Sequence, residues 1–415
     1  MTILQLRRLF VLPFSILLLL LSYVFSTFVY RKKIYSVYFS YKYFGHSAIE
    51  SAIASSFVNT NDIKLFSSHH KLAHGDNVLL HNISRSLFDD CWLPLNYIQF
   101  IFNNSFSFIQ ELISLYYSPL FPSRVDRELF YLPYLSTDLS FPWRALISEH
   151  ITDLSCSSQP FSSLPVLIAV RTSHFHSYSP SVSSQNYRNL DLSEIEYLLN
   201  SFLLGDHVTT YILYASISII DHLKSIFTHY CDRIEYVDQS KNNIIPLFAR
   251  SKLLVNNGNG IGAFALSLGF PTLYVKHSPF QCWHSSHLNS IAIPPIYVSS
   301  DNYHTNFSES VSLAFSTDCI LPLDFYQSYS SRNVFLLPLT SYPSSIFSSS
   351  LTQALDLNSL FLNKSRTDCL VHRLTNTKLN SSFWAAFNSL APNQVKIWHR
   401  KQYLTISSSF LSFFS

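Results

Sequence analysis

Between Pro165 and Val275 the chain alternates short apolar runs with segments of helix length. The runs are PVLIAV (Pro165 to Val170), TTYILYA (Thr209 to Ala215), IEYV (Ile234 to Val237), KLLVNN (Lys252 to Asn257) and PTLYV (Pro271 to Val275). Strands exposed on one face alternate apolar with polar residues; near-continuous runs of this kind belong to strands buried on both faces of a parallel sheet. Between them lie DLSEIEYLLNSFLL (Asp191 to Leu204), ISIIDHLKSIFTHY (Ile217 to Tyr230), NNIIPLFARS (Asn242 to Ser251) and IGAFALSLG (Ile261 to Gly269), all spaced as helices. The pattern predicts an open, doubly wound α/β domain.

The rest of the chain extends this plan. At 415 residues it has room for about two or three domains. IYSVYFSYKYF (Ile34 to Phe44) reads as a strand, Gly45 as a tight turn and HSAIESAIASSF as a helix, so a second α/β lobe precedes the first-described one. The Ser-rich stretch from Ser155 to Ser163 is the predicted linker. The expected division is 1–33, 34–160, 161–345 and 346–415, two Rossmann-like lobes behind an N-terminal apolar segment.

That segment runs from Leu9 to Tyr30 without a charge, with Arg7 and Arg8 before it and Arg31, Lys32 and Lys33 after it. As a helix it covers about 33 Å, enough to span a hydrocarbon core of about 30 Å. It is expected to be an uncleaved, single-pass membrane anchor rather than a signal peptide, whose apolar region is normally shorter. Basic residues at both ends leave the orientation open. Charged residues make up 13 % of the chain and the net charge is only +3, so the electrostatic footprint of a nucleic-acid binder is missing. The six cysteines are scattered without metal-ligand spacing and read as buried thiols.

Ligands of open parallel sheets bind beyond the carboxyl ends of the strands, so residues there are the first candidates. Arg171 follows PVLIAV, where a guanidinium can hold phosphate oxygens or pair with an acid. Asn257, Gly258, Asn259 and Gly260 join KLLVNN to a helix beginning near Ile261; two of only seven glycines fall here, and such a turn is either an anion-binding helix start or a plain left-handed turn. It is neither a Rossmann fingerprint nor a Walker loop. His46, just after Gly45, is a candidate base. His277 follows PTLYV, and its spacing to His284 and His287 does not favour a metal. No D-x-D triplet occurs in the chain.

Read in order, these strings resemble a family of bacterial glycosyltransferases of the GT-B type found in surface-polysaccharide gene clusters. The matching strings are FGHSAIE (Phe44 to Glu50), AVRTS (Ala169 to Ser173), NYRNLDL (Asn186 to Leu192) and PLFARSKLLVNNGNGIGAFALSLGFPTLYV (Pro246 to Val275), with weaker echoes at Asn376-Thr377 and SSSFL (Ser407 to Leu411). Thr172 stands where the family usually carries an Asp, and Asn257 to Gly260 replaces a Ser/Gly-rich loop. These departures imply either an altered donor contact or reduced activity.

The resemblance implies an acceptor-binding first lobe, a second lobe binding a nucleotide-diphosphate sugar, and a C-terminal segment crossing back to the first lobe. Arg171 and the amides of Asn259, Gly260 and Ile261 would stabilise the departing diphosphate without a metal or further cofactor. Tyr187, Arg188, Asn189, Asp191 and His277 would line the donor pocket, Asp191 having the alternative role of a helix N-cap. His46 would be the base with Glu50 orienting it, Asp76 being held in reserve. The implied activity is transfer of a sugar to a glycan or lipid-linked acceptor by a protein of the bacterial inner membrane with a cytoplasmic body. The alternative is an inactive, glycan-binding or scaffolding relative.

Overall fold

The computed structural model describes residues 3–38, 44–45, 48–49, 51–52, 63–68, 89–90, 95–119, 163–172, 189–205, 209–276, 290–293, 295–299, 334–363 and 407–414. The chain divides into two compact units, Met1–Glu149 and His150–Ser415.

The first unit opens with helix α1 (Ile3–Val24), which runs on through a π-helical turn at Phe25–Val29. The strands are β1 (Lys33–Tyr38), β2 (Ile63–Ser68), β3 (Asp89–Asp90) and β4 (Tyr117–Pro119), with helices α2 (Leu95–Asn103) and α3 (Ser107–Ser114) before β4. The strands form a parallel sheet in the order β3-β2-β1-β4. Leu18, Ile34, Phe102, Ile109, Ile113 and Tyr117 make a small core between α1, the sheet and the helices α2 and α3.

In the second unit the predicted alternation is observed. It comprises β5 (Val166–Ile168), α4 (Leu192–Gly205), β6 (Tyr211–Ala215), α5 (Ile217–Ile226), β7 (Ile234–Asp238), α6 (Ile245–Ala249), β8 (Leu253–Asn256), α7 (Gly260–Leu268), β9 (Thr272–Val275) and β10 (Ser290–Ile293). The six strands are all parallel, in the order β10-β9-β8-β5-β6-β7. Every residue of β5, β6, β8, β9 and β10 is buried, as continuous apolar runs require; β7, at the edge, is buried only at Ile234 and Val237. Helix α6 is shorter than its sequence segment because Pro246 falls in its first turn and Arg250 leaves helical geometry.

A two-stranded ladder, β11 (Tyr297–Ser299) with β12 (Val334–Leu336), and helices α8 (Ser344–Asn363) and α9 (Ser408–Phe414) complete the unit. Helix α8 packs on α4 so closely that a Cβ on Gly205 would lie 2.2 Å from Ser348 Cβ. Helix α9 places Phe410 in the main core, and Ser407 N donates to Ala292 O at 2.9 Å. The described parts of 346–415 thus pack within the second unit.

Candidate functional site

The strand order of the second unit creates a reversal. From β5 the chain proceeds to β6 and β7 on one side, then returns to add β8, β9 and β10 on the other, so the loops after β5 and β8 part in opposite directions. A crevice forms at such a switch point, outside the carboxyl ends of the strands. The two loops there are the ones carrying Arg171 and Asn257-Gly258-Asn259-Gly260.

They are tied together. Arg171 N donates to Asn257 Oδ1 at 2.7 Å, and Asn257 Nδ2 donates to Arg171 O at 3.2 Å. The Arg171 side chain turns to the next segment, its Nε donating to Asn189 Oδ1 at 2.9 Å. Leu190 N donates to Arg171 O at 2.9 Å, making the parallel bridge between Thr172 and Leu190. Arg171, Asn189 and Asn257 therefore converge. The guanidinium is not splayed into an open crevice, however: Arg171 is only 4 % exposed.

The Asn-rich turn is knotted more tightly than a bare anion-binding loop. Asn256 Oδ1 accepts from Gly258 N at 2.7 Å and from Asn259 N at 3.1 Å. Its Nδ2 donates to Ala169 O at 2.5 Å and to Asn259 Oδ1 at 2.9 Å. Asn259 is the N-cap of α7, its Oδ1 accepting from Ile261 N at 2.8 Å and Gly262 N at 3.2 Å. Two amides expected to face a diphosphate, those of Asn259 and Ile261, thus already donate within the turn. Gly258 has φ 81°, the left-handed conformation that closes the turn without a Cβ penalty. Gly262 lets α7 approach β8, since a Cβ there would meet Asn256 Oδ1 at 2.5 Å.

Asp191 takes the capping role that the sequence offered as its alternative. Its Oδ1 accepts from Glu194 N at 2.8 Å and Ser193 Oγ at 2.7 Å, while Glu194 Oε2 accepts from Asp191 N at 3.1 Å, a reciprocal capping box at the start of α4. Burial pushes the Asp191 carboxyl up, but the bonds from Ser193 and Glu194, together with the Lys276 charge, outweigh it and leave the group below its ordinary range.

Sequence reading missed Lys276. It directly follows β9, adopts φ 48°, is buried, and its Nζ pairs with Glu194 Oε1. Glu194 Oε1 also accepts from Leu339 N at 2.9 Å. The signal was there: like Arg171, Lys276 is a cation just past a buried strand of the same sheet. His46, Glu50, Asp76, Tyr187, Arg188 and His277, with His284 and His287, lie outside the described residues. Among the described residues no three His, Cys, Asp or Glu side chains gather as a metal site.

No family model matches the sequence, and no curated protein is similar to it. Among solved structures, the chain is similar to ADP-heptose LPS heptosyltransferase II of E. coli, at 13 % identity over 72 % of this chain and 98 % of that one, with a TM-score of 0.36. A family 9 glycosyl transferase from Veillonella parvula gives 13 % identity, 72 % and 95 % coverage and a TM-score of 0.33. UDP-GlcNAc 2-epimerase from Neisseria meningitidis, bound to UDP-GlcNAc, gives 10 %, 78 % and 99 %, and 0.35. The crevice is assigned from this chain's own strand order.

Proposed function

We propose that the protein is a glycosyltransferase of GT-B type that moves a sugar from a nucleotide-diphosphate donor to a glycan or lipid-linked acceptor without a metal, and that α1 holds it at a membrane. The observation that supports this most directly is the meeting of Arg171, Asn189 and Asn257 at the switch point of a six-stranded parallel sheet. A guanidinium at that position neutralises a diphosphate as it departs, and the water-poor surroundings strengthen the interaction. Donor binding then requires Arg171 Nε to leave Asn189 and point toward the ligand. His46 remains the base in this reading.

A second reading is an inactive, glycan-binding or scaffolding relative. It is favoured by a specific observation, the burial of Arg171 and the consumption of the turn amides by Asn256 and Asn259. The two readings part on nucleotide binding. The full chain in detergent micelles is heated with UDP, GDP, ADP, CMP or TDP. A donor nucleotide at about 100 times its Kd adds about 2.7 kcal/mol to native stability and raises the midpoint. One nucleotide is expected to do so, and Arg171→Ala is expected to abolish the shift while the protein stays folded. A folded protein that responds to none of the five refutes the donor reading in favour of the inactive one.

A further inference from the structure

Helix α1 is patterned inside out. The residues it buries fall on one stripe, Val11, Ser15, Leu18, Ser22 and Ser26, and three of the five are serines. Their hydroxyls are all bonded: Ser15 Oγ donates to Val11 O and bonds Ser105 Oγ at 2.6 Å, Ser22 Oγ donates to Leu18 O, and Ser26 Oγ donates to Lys32 O. Leu12, Leu18 and Leu19 pack on the small core, but most of the large apolar side chains point outward, with Phe10 75 % exposed and Phe28 66 %. A helix in water buries its large apolar residues; small residues inward and bulky ones outward is the arrangement of a helix whose surroundings are lipid.

The companion of α1 is α2 followed by α3. Three contacts set their course: the Arg7 guanidinium lies 5.0 Å from the Phe100 ring centroid, Ser15 bonds Ser105, and the Tyr23 and Tyr116 rings are 5.2 Å apart. Both stretches advance sixteen residues between the first and last contact, so they run side by side in the same direction for about 24 Å. On α2 and α3, too, bulky apolar residues are exposed: Tyr97, Phe100, Phe108 and Leu112. From Cys91 to Ser123 the only charged residue is Glu111.

This packing bears on how the helix meets a bilayer. Helix α2, beside the N-terminal half of α1, also packs on β1. Were α1 to stand across the membrane, it would carry β1 and the parallel sheet into the hydrocarbon, where open sheet edges do not occur. The basic clusters agree. Arg7 and Arg8 at one end, and Arg31, Lys32 and Lys33 at the other, give a spanning helix no preferred direction, whereas a helix lying in one leaflet sets both clusters against the same anionic headgroups.

We infer that α1, α2 and α3 together form one lipid-facing surface that seats the first unit lengthwise in a single leaflet, without crossing the bilayer. The inference rests on the membrane reading of α1 and narrows it. The occupant of the surface is the acyl layer of a bilayer with anionic headgroups, into which an in-plane helix sinks by about 5–10 Å.

The full chain, tagged at both ends, is reconstituted into sealed vesicles of phosphatidylcholine and phosphatidylglycerol bearing radiolabelled acyl chains. Benzoylphenylalanine is placed singly at Phe14, Phe108 or, as a control in the second unit, Ile226. Irradiation is expected to give lipid adducts at 14 and 108 and not at 226, and external protease is expected to remove both tags or neither from each molecule. Molecules that keep exactly one tag overturn the in-plane seat, and an adduct at 14 without one at 108 overturns the shared surface; either result leaves the membrane reading of α1 intact. Absence of an adduct at 14 overturns the membrane reading itself. In flotation, Phe108→Ser combined with Leu112→Ser is expected to lower vesicle binding about tenfold or more, two apolar side chains being withdrawn from lipid.

Discussion

Replacing Asn256 with Ala tests how far the Asn knot at the end of β8 stabilises the second unit. The side chain is wholly buried and takes part in four hydrogen bonds, to Gly258 N, Asn259 N, Ala169 O and Asn259 Oδ1. Truncation leaves Ala169 O one other reach, from Asn259 Nδ2 at 3.3 Å, but takes the acceptor from the amides of Gly258 and Asn259. A buried donor left unsatisfied costs about 1–3 kcal/mol, and the Asn259 amide alone implies a loss of that size before the cavity is counted. For a domain of this size 1 kcal/mol moves the midpoint by about 2–4 °C, and the expected fall is about 4–8 °C for a mid-range loss of about 2 kcal/mol. The assay is thermal unfolding of the full chain followed by far-ultraviolet circular dichroism. Asn242→Ala serves as the control, because Asn242 is exposed and donates only locally, to Asp238 O. A fall of less than about 2 °C for Asn256→Ala, no larger than the control, would falsify the claim that this side chain is what satisfies the buried turn.

The same physics yields further expectations. Gly262→Ala is expected to destabilise the second unit by about 1–3 kcal/mol, measured by urea unfolding, because its Cβ meets Asn256 Oδ1 at 2.5 Å. Lys276→Met strands Glu194 in the interior and should cost about 3–5 kcal/mol, whereas the double change Glu194→Gln, Lys276→Met should recover much of that loss; a double variant no better than the single one refutes the pairing. The folded pKa of Asp191 is depressed, so its charge stabilises the fold above its unfolded value of 3.8 and this contribution is lost as pH falls through the lower, folded value. Asp191→Asn should therefore differ from the parent at neutral pH and converge with it in acid below pH 3.8; a difference unchanged down to pH 2 counts against the charge effect.

The strands of the second unit were readable because burial on both faces leaves no polar alternation, as in PTLYV and KLLVNN. Their order was not, since every parallel strand of this kind carries the same pattern and only packing decides its neighbours. Arg171 and Asn257 could be singled out by position alone, but the knot could not. Asn256 looks like the polar end of a strand until its amide is seen bonding Ala169, 87 residues away. Lys276 was passed over for His277 because a lysine at a strand end ordinarily extends into water, and its acid partner is 82 residues distant. In the first unit the apolar run of α1 was plain, yet its serine stripe has meaning only beside Ser105. The helices α2 and α3 escaped notice because Asn103 and Asn104 break an otherwise apolar stretch.

Asn257 grips position 171 by its main chain alone, taking its N–H and capping its carbonyl. The crossing of the two loops is consequently blind to which side chain position 171 carries. In the proposed function the arginine, and with it the chemistry offered to a donor, can then be exchanged without breaking this tie, although the bond to Asn189 is lost with it. If the proposed function holds, the joint between the loops and the group presented to a donor are two separable properties of this one residue, the first carried by its main chain and the second by its side chain.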